Sequence, residues 1–147
     1  MHEPEITLRG WLGSDVTVTE TSGGPLASFR VGCTPRRRRE GGWEDLPSVW
    51  FTVKAWAHLA RNAADSLRQG DPVVVQGRLV AESWRRDDGT RASRHVVVAD
   101  AVGHDLVHGA GSFTRRRPHR EAPTGAAAGA PATPAGSDPA PVPATAA

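Results

Sequence analysis

Along residues 48–56, apolar or small side chains (Val49, Phe51, Val53, Ala55) alternate with Trp50, Thr52, Lys54 and Trp56. Successive side chains of a strand point to opposite faces, so the run separates into a core face and a second face. That second face carries two indoles with a cation between them, where a half-buried strand would normally show plain polar residues. Two readings stand. Exposed flat rings beside a positive charge suit stacking on nucleobases while a phosphate is held. Alternatively the strand is buried on both faces and the tryptophans are core.

Four further runs read as strands. In the first, Ile6, Leu8 and Leu12 alternate with Thr7, Arg9 and Trp11, and Gly10 and Gly13 permit a bend or bulge. It is expected to continue through Val16 to Thr19 and to stop at the turn cluster Ser22-Gly23-Gly24-Pro25. In the second, Ala27, Phe29, Val31 and Cys33 form an inward row with Ser28 and Arg30 outward. Residues 48–56 are the third. The fourth covers residues 72–84, with Val73, Val75, Gly77, Leu79 and Ala81 on one face and Arg78, Glu82 and Trp84 on the other. The fifth is the Val-rich stretch 94–102, joined to the fourth by a hairpin turn at Asp87-Asp88-Gly89. Residues 34–47, holding Arg36 to Arg39 and Trp43, are expected as a loop.

Leu59, Ala63 and Leu67 recur every four residues while Arg61, Asp65 and Arg68 point away, which predicts one helix. Arg68 is expected in its last turn, with Gly70 just past it and Pro72 beyond as a stop signal. The order β-β-β-α-β-β is the chain path of an all-β, five-stranded Greek-key OB barrel with a lone helix between strands three and four.

Composition adds a boundary. Of 147 residues, the stretch 121–147 is mostly Ala and Pro with one larger aliphatic residue, Val142, too little apolar surface to offset the entropy of ordering it. The expected organisation is therefore one domain over 1–108 and a disordered Arg-rich then Ala/Pro-rich tail over 109–147. The formal net charge of +2 falls wholly beyond residue 106, because residues 1–106 hold 14 Lys+Arg against 14 Asp+Glu. A basic footprint within the domain must then be local: Arg36 to Arg39, Arg85-Arg86, Arg91 and Arg94. A single cysteine, Cys33, excludes an internal disulfide framework and a CxxC site, and is expected as a small buried hydrophobe. Without a charged start leading into an apolar stretch, and without a run of membrane-spanning length, the chain reads as cytoplasmic with no membrane partner.

Aromatics interleaved with cations along one sheet face and its flanking loops are what a single-strand channel requires. The candidate contacts are Trp50, Lys54, Trp56, Trp84, Arg78 and Arg30 on strands, with Arg36, Arg37, Trp43, Arg85 and Arg86 in loops. Enzyme chemistry finds no footing. The six histidines are scattered without HExxH or Cys/His clustering, and Gly41-Gly42 lacks the Lys-Ser/Thr pair of a phosphate loop. No catalytic residue, cofactor or metal site is expected.

These residues resemble bacterial single-stranded DNA-binding proteins, from about Ile6 to Leu106. The opening Ile6-Thr7-Leu8-Arg9-Gly10-Trp11-Leu12-Gly13 is similar to the family's first strand, and residues 50–60 to its strand-to-helix segment. The most specific match is residues 66–79, SLRQGDPVVVQGRL, to the family's L-x-K-G-x-x-V-x-V-x-G-x-L segment. The resemblance implies sequence-tolerant ssDNA binding that protects the strand in replication, recombination or repair. By position it makes Trp50, Trp56 and Trp84 the stacking aromatics, and it implies a homotetramer. A further family aromatic is replaced by Pro35-Arg36-Arg37, for which Trp43 is the candidate substitute. No acid follows Asp138, so recruitment of repair or replication proteins through an acidic tip is not expected. This pattern resembles an auxiliary paralogue of high-GC Gram-positive bacteria. Two alternatives belong to other classes: an RNA-binding OB module, and a protein-interaction OB domain with buried tryptophans.

Overall fold

The computed structural model describes residues 2–116. Its elements are β1 (Glu5–Leu12), β2 (Thr17–Thr21), β3 (Gly24–Cys33), β4 (Arg36–Arg39), β5 (Gly42–Asp45), β6 (Val49–Trp56), α1 (Ala57–Ser66), β7 (Pro72–Arg85) and β8 (Arg91–His104). Met1–Phe113 form one compact unit. Most of the expected tail, residues 117–147, lies outside the described residues.

Six strands form one sheet in the order β1-β7-β8-β6-β3-β2, and β1 also pairs with β3. That second pairing, Trp11 to Gly32 and Leu12 to Val31, closes β1, β7, β8, β6 and β3 into the expected five-stranded barrel. The β6–β8 contact is parallel and the others are antiparallel. Closure removes most of the open strand edge that would otherwise invite mispairing.

Tight closure needs close backbone approach at Gly10, where a Cβ would stand 2.3 Å from the carbonyl oxygen of Gly32. Gly77 plays the equivalent part between β7 and β8. A Cβ there would meet Val98 O at 2.1 Å, and the ladder shifts register between Gln76 and Gly77. The bulge is therefore on β7–β8, whereas Gly10 serves approach.

The inward rows fill the barrel as the alternation predicts except at two positions towards strand ends, where Val49 and Ala81 are exposed because the barrel no longer encloses them. Phe29, Val31, Val53, Ala55, Val73, Val75 and Val97 are buried together, with Leu8 and Leu12 from β1. The helix contributes Ala60, Ala63 and the following Leu67, so of the expected stripe Ala63 and Leu67 are buried, Leu59 is only partly so, and Ala60 beside it takes its place. Cys33 is half-buried against this core, and burial pushes its thiol up from the usual value.

Three boundaries differ from expectation. Val16 to Thr19 does not extend the first strand; β2 turns back at Gly23-Gly24 and pairs with β3 from Thr17↔Ser28 to Thr21↔Gly24. The helix stops at Ser66, earlier than expected, so Arg68 lies past its end. The guanidinium of Arg68 nevertheless donates to the carbonyls of Ala64 and Leu67, satisfying helix-end acceptors from outside the last turn. Finally, the expected loop 34–47 is a separate two-stranded ribbon, β4 pairing with β5.

Candidate nucleic-acid interface

The outer face of the barrel wall is built on β3, β6, β8 and β7. On β6 the alternation places Trp50, Thr52, Lys54 and Trp56 outward, opposite Gly32, Arg30, Ser28 and Leu26 of β3. On the other side Thr52 aligns with Val96 and Lys54 with Val98 of β8, which align in turn with Val80 and Arg78 of β7. Glu82 and Trp84 continue that outward row of β7.

All five tryptophans are exposed: Trp50 by 51%, Trp56 by 42%, Trp84 by 43%, Trp43 by 64% and Trp11 by 48%. The reading in which they are core is thereby contradicted, and with it the buried-tryptophan alternative. Burial goes instead to the small and β-branched residues of the opposite face, which fill a narrow barrel better than an indole can.

Each outward indole on the wall is seated differently. The Trp50 ring lies on backbone. A Cβ at Gly13 would stand 2.2 Å from it and one at Gly32 2.9 Å, so both positions admit only glycine beneath the ring in this pose. The Arg30 guanidinium lies 5.0 Å from the Trp50 ring centroid. Trp84, near the end of β7, has the Arg94 guanidinium 5.5 Å from its ring centroid. Such cation–ring pairs hold orientation at a surface for roughly 0.5–1 kcal/mol each. Trp56 closes β6, and Ala57 behind it turns the chain into α1 with a left-handed φ of 55°.

Lys54, expected as a phosphate contact, is already engaged by an acid. Its side chain is only 18% exposed and forms an ion pair with Glu82 Oε1. The other carboxylate oxygen of Glu82 accepts from Arg94 Nε at 3.2 Å and Nη2 at 3.1 Å. The Lys54 ammonium, with Arg94 beside it, holds the Glu82 carboxyl below its usual range. One acid thus joins the cation at the centre of the face to the cation over Trp84. Beneath them Val96 is buried although it stands on the outer row, apart from the barrel core.

The remaining expected contacts are less gathered. Arg78 shares a cross-strand row with Lys54 but is paired with Glu3 at 2.7 Å and with Asp100 at 3.8 Å. Arg85 ends β7 and Arg86 enters the hairpin turn, where Arg86 N donates to Thr90 O. Asp88 accepts from the backbone and the hydroxyl of Thr90, so this acid shapes the turn. Arg36 and Arg37 lie on the separate ribbon, paired with Asp45 at 2.6 Å and Glu44 at 3.3 Å. Trp43 stands across from Arg38 on the same ribbon.

Sequence reasoning counted Arg94 and Arg38 in the basic footprint but left both out of the candidate contacts, and it missed Glu82 as a site residue and Gly13 and Gly32 as the seat of Trp50. It also left Trp11 unassigned. That ring packs at 4.9 Å on His108, in the segment that Asp105 pins to β1 through Arg9 at 2.8 Å. Arg9 holds the Asp105 carboxyl below its usual range, helped by the backbone N–H of Val107.

Comparison with known proteins gives the family and the fold. The model of the single-strand binding protein family matches residues 4–105. Single-stranded DNA-binding protein 1 of Streptomyces coelicolor is 35% identical over 97% of this chain and 99% of its own length. The Corynebacterium glutamicum single-stranded DNA-binding protein is 37% identical over 71% of this chain, but that match spans only 48% of the relative. The crystal structure of a small single-stranded DNA-binding protein from Streptomyces coelicolor superposes with a TM-score of 0.66 at 38% identity, covering 74% of this chain and all of the other. With its barrel, its lone helix and its tryptophan-bearing wall, this chain belongs to the single-strand binding protein family.

Proposed function

We propose that the β3–β6–β8–β7 wall binds single-stranded DNA without sequence preference and without catalysis, sheltering the strand during replication, recombination or repair. The observation that carries this reading is the set of three half-exposed indoles, Trp50, Trp56 and Trp84, facing outward on that wall. Every base has a π-face, so such a surface holds any sequence, each stacked base contributing roughly 1–3 kcal/mol as judged by truncation. Arg30, Lys54, Arg78, Arg85 and Arg86 supply phosphate contacts. Arg36, Arg37 and Trp43 extend the path onto the ribbon. The names of the relatives, single-stranded DNA-binding proteins, support the same substrate.

In this reading the binding unit is residues 1–108 and the tail 109–147 is a spacer outside it. The unit works as a homotetramer in the cytoplasm, associated with the nucleoid. Sedimentation equilibrium tests the assembly; a monomer at micromolar concentration overturns it.

Fluorescence anisotropy with equal-length dT, rU and duplex oligomers tests the substrate. The expected result is saturable dT binding, stronger than to duplex, with log affinity falling against log salt by about 0.7 per phosphate contact. Preference for rU over dT would redirect the reading to RNA. Binding to neither single strand would sink it.

A further inference from the structure

An acid stands on the face proposed for a polyanion. Glu82 is outward on β7, and each of its oxygens is committed to a cation of that face: Oε1 to Lys54 and Oε2 to Arg94. Carboxylate and phosphate oxygens draw on the same donors, and the Lys54 ammonium and the Arg94 fork are the groups a phosphate would take. Arg94, held by Glu82, also lies over the Trp84 ring, on a surface that a stacking base would use.

We infer that Glu82 is a built-in competitor for the DNA backbone: it occupies Lys54 and parks Arg94 on Trp84, and an incoming strand must displace both contacts. This rests on the ssDNA-binding reading above. Glu82 is therefore a positioning residue that sets affinity and salt dependence through Lys54 and Arg94. The three charged groups sum to a single positive charge, and replacing Glu82 by a neutral residue doubles it. The two cations then release counterions on binding where they now exchange one anion for another.

The test is a salt series of dT affinity for the full chain and for Glu82→Gln, whose amide oxygen keeps an acceptor for Lys54 and Arg94. The variant is expected to bind more tightly, with a log–log slope steeper by about 0.7 for each cation released. For one cation, its advantage then grows about fivefold for each tenfold dilution of salt. Thermal melts establish that the variant is folded, and Glu82→Thr, a residue suited to a strand, should show the same direction of change. In a Lys54→Gln, Arg94→Gln background the advantage should vanish, a result that a merely structural role would not give. Parallel slopes with equal or weaker affinity, while the unaltered chain binds dT normally, overturn this inference alone. If the unaltered chain does not bind dT, the binding reading falls and this inference with it.

Discussion

The two faces of β6 carry one alternating sequence into opposite environments. Inward, Val53 and Ala55 are fully buried among Phe29, Val31, Val75 and Val97. Outward, Trp50 and Trp56 keep about half of their surface wet, although their rings are larger than any side chain on the inner face. The inner face is held by volume, and many apolar fillings of similar size would serve it. The outer face is held by seating: an indole on the backbone of Gly13 and Gly32, a guanidinium beside each of two rings, and an acid between two cations. In the proposed reading stability depends on the first face and binding on the second, so substitutions should separate the two.

The largest effect is expected inside. Phe29→Ala should cost about 3–5 kcal/mol of stability, read by urea or thermal unfolding, because a fully buried ring is lost and the barrel cannot collapse onto the space. An unchanged melting curve would break the assignment of the core face. Gly10→Ala should follow at roughly 1–3 kcal/mol, since the new methyl meets the backbone oxygen of Gly32, which β1–β3 closure holds in place.

On the outer face the loss moves to binding. Trp84→Ala should weaken dT affinity by about 1–3 kcal/mol, roughly 5- to 150-fold, and leave unfolding nearly unaltered. Equal affinity would remove Trp84 from the interface. Gly32→Ala sharpens the contrast with Gly10→Ala. Its methyl meets the Trp50 ring, a half-exposed side chain that can swing away. It should therefore reduce affinity by no more than Trp50→Ala does, with little loss of stability.

The smallest effect is on acid stability. The Glu82 carboxyl titrates lower when folded than unfolded, so its contribution is present at neutral pH and is lost as pH falls through the folded value. A partly exposed pair of this kind contributes about 0.2–1 kcal/mol. Glu82→Gln should flatten the acid limb of a melting-temperature profile slightly, whereas Phe29→Ala should lower the profile at every pH. A Glu82→Gln profile parallel to that of the unaltered chain would show that the pair contributes nothing to folding.

Legibility followed locality. Alternation in residues 48–56 separated the two faces of β6 over Phe51 to Trp56 because the strand period is a property of neighbours, but it misplaced Val49, which is exposed at the start of the strand. The helix was legible from the spacing of Leu59, Ala63 and Leu67. Its end was misplaced because Arg68 reaches back to the last carbonyls from beyond it. The β4–β5 ribbon was hidden because four consecutive arginines show no alternation. Its turn is carried by Gly41 and Gly42 at positive φ, and the pairing sets Arg36 against Asp45 and Arg37 and Arg39 beside Glu44. The state of Lys54 was illegible for a different reason. Its partner lies 28 positions away on another strand, and only the register of the closed barrel brings the two together. The seat of Trp50 has the same origin, since Gly13, just past β1, and Gly32 on β3 are far apart in sequence and meet one ring.

The central claim is that the outer indoles are a stacking surface, and intrinsic tryptophan fluorescence tests it most directly. The protein is titrated with dT oligomers at low and at high salt. Saturable quenching that weakens as salt rises is the expected result, and its end point gives the number of nucleotides held. A flat signal at low salt would contradict the account, because half-exposed rings that bind bases cannot keep their emission unchanged.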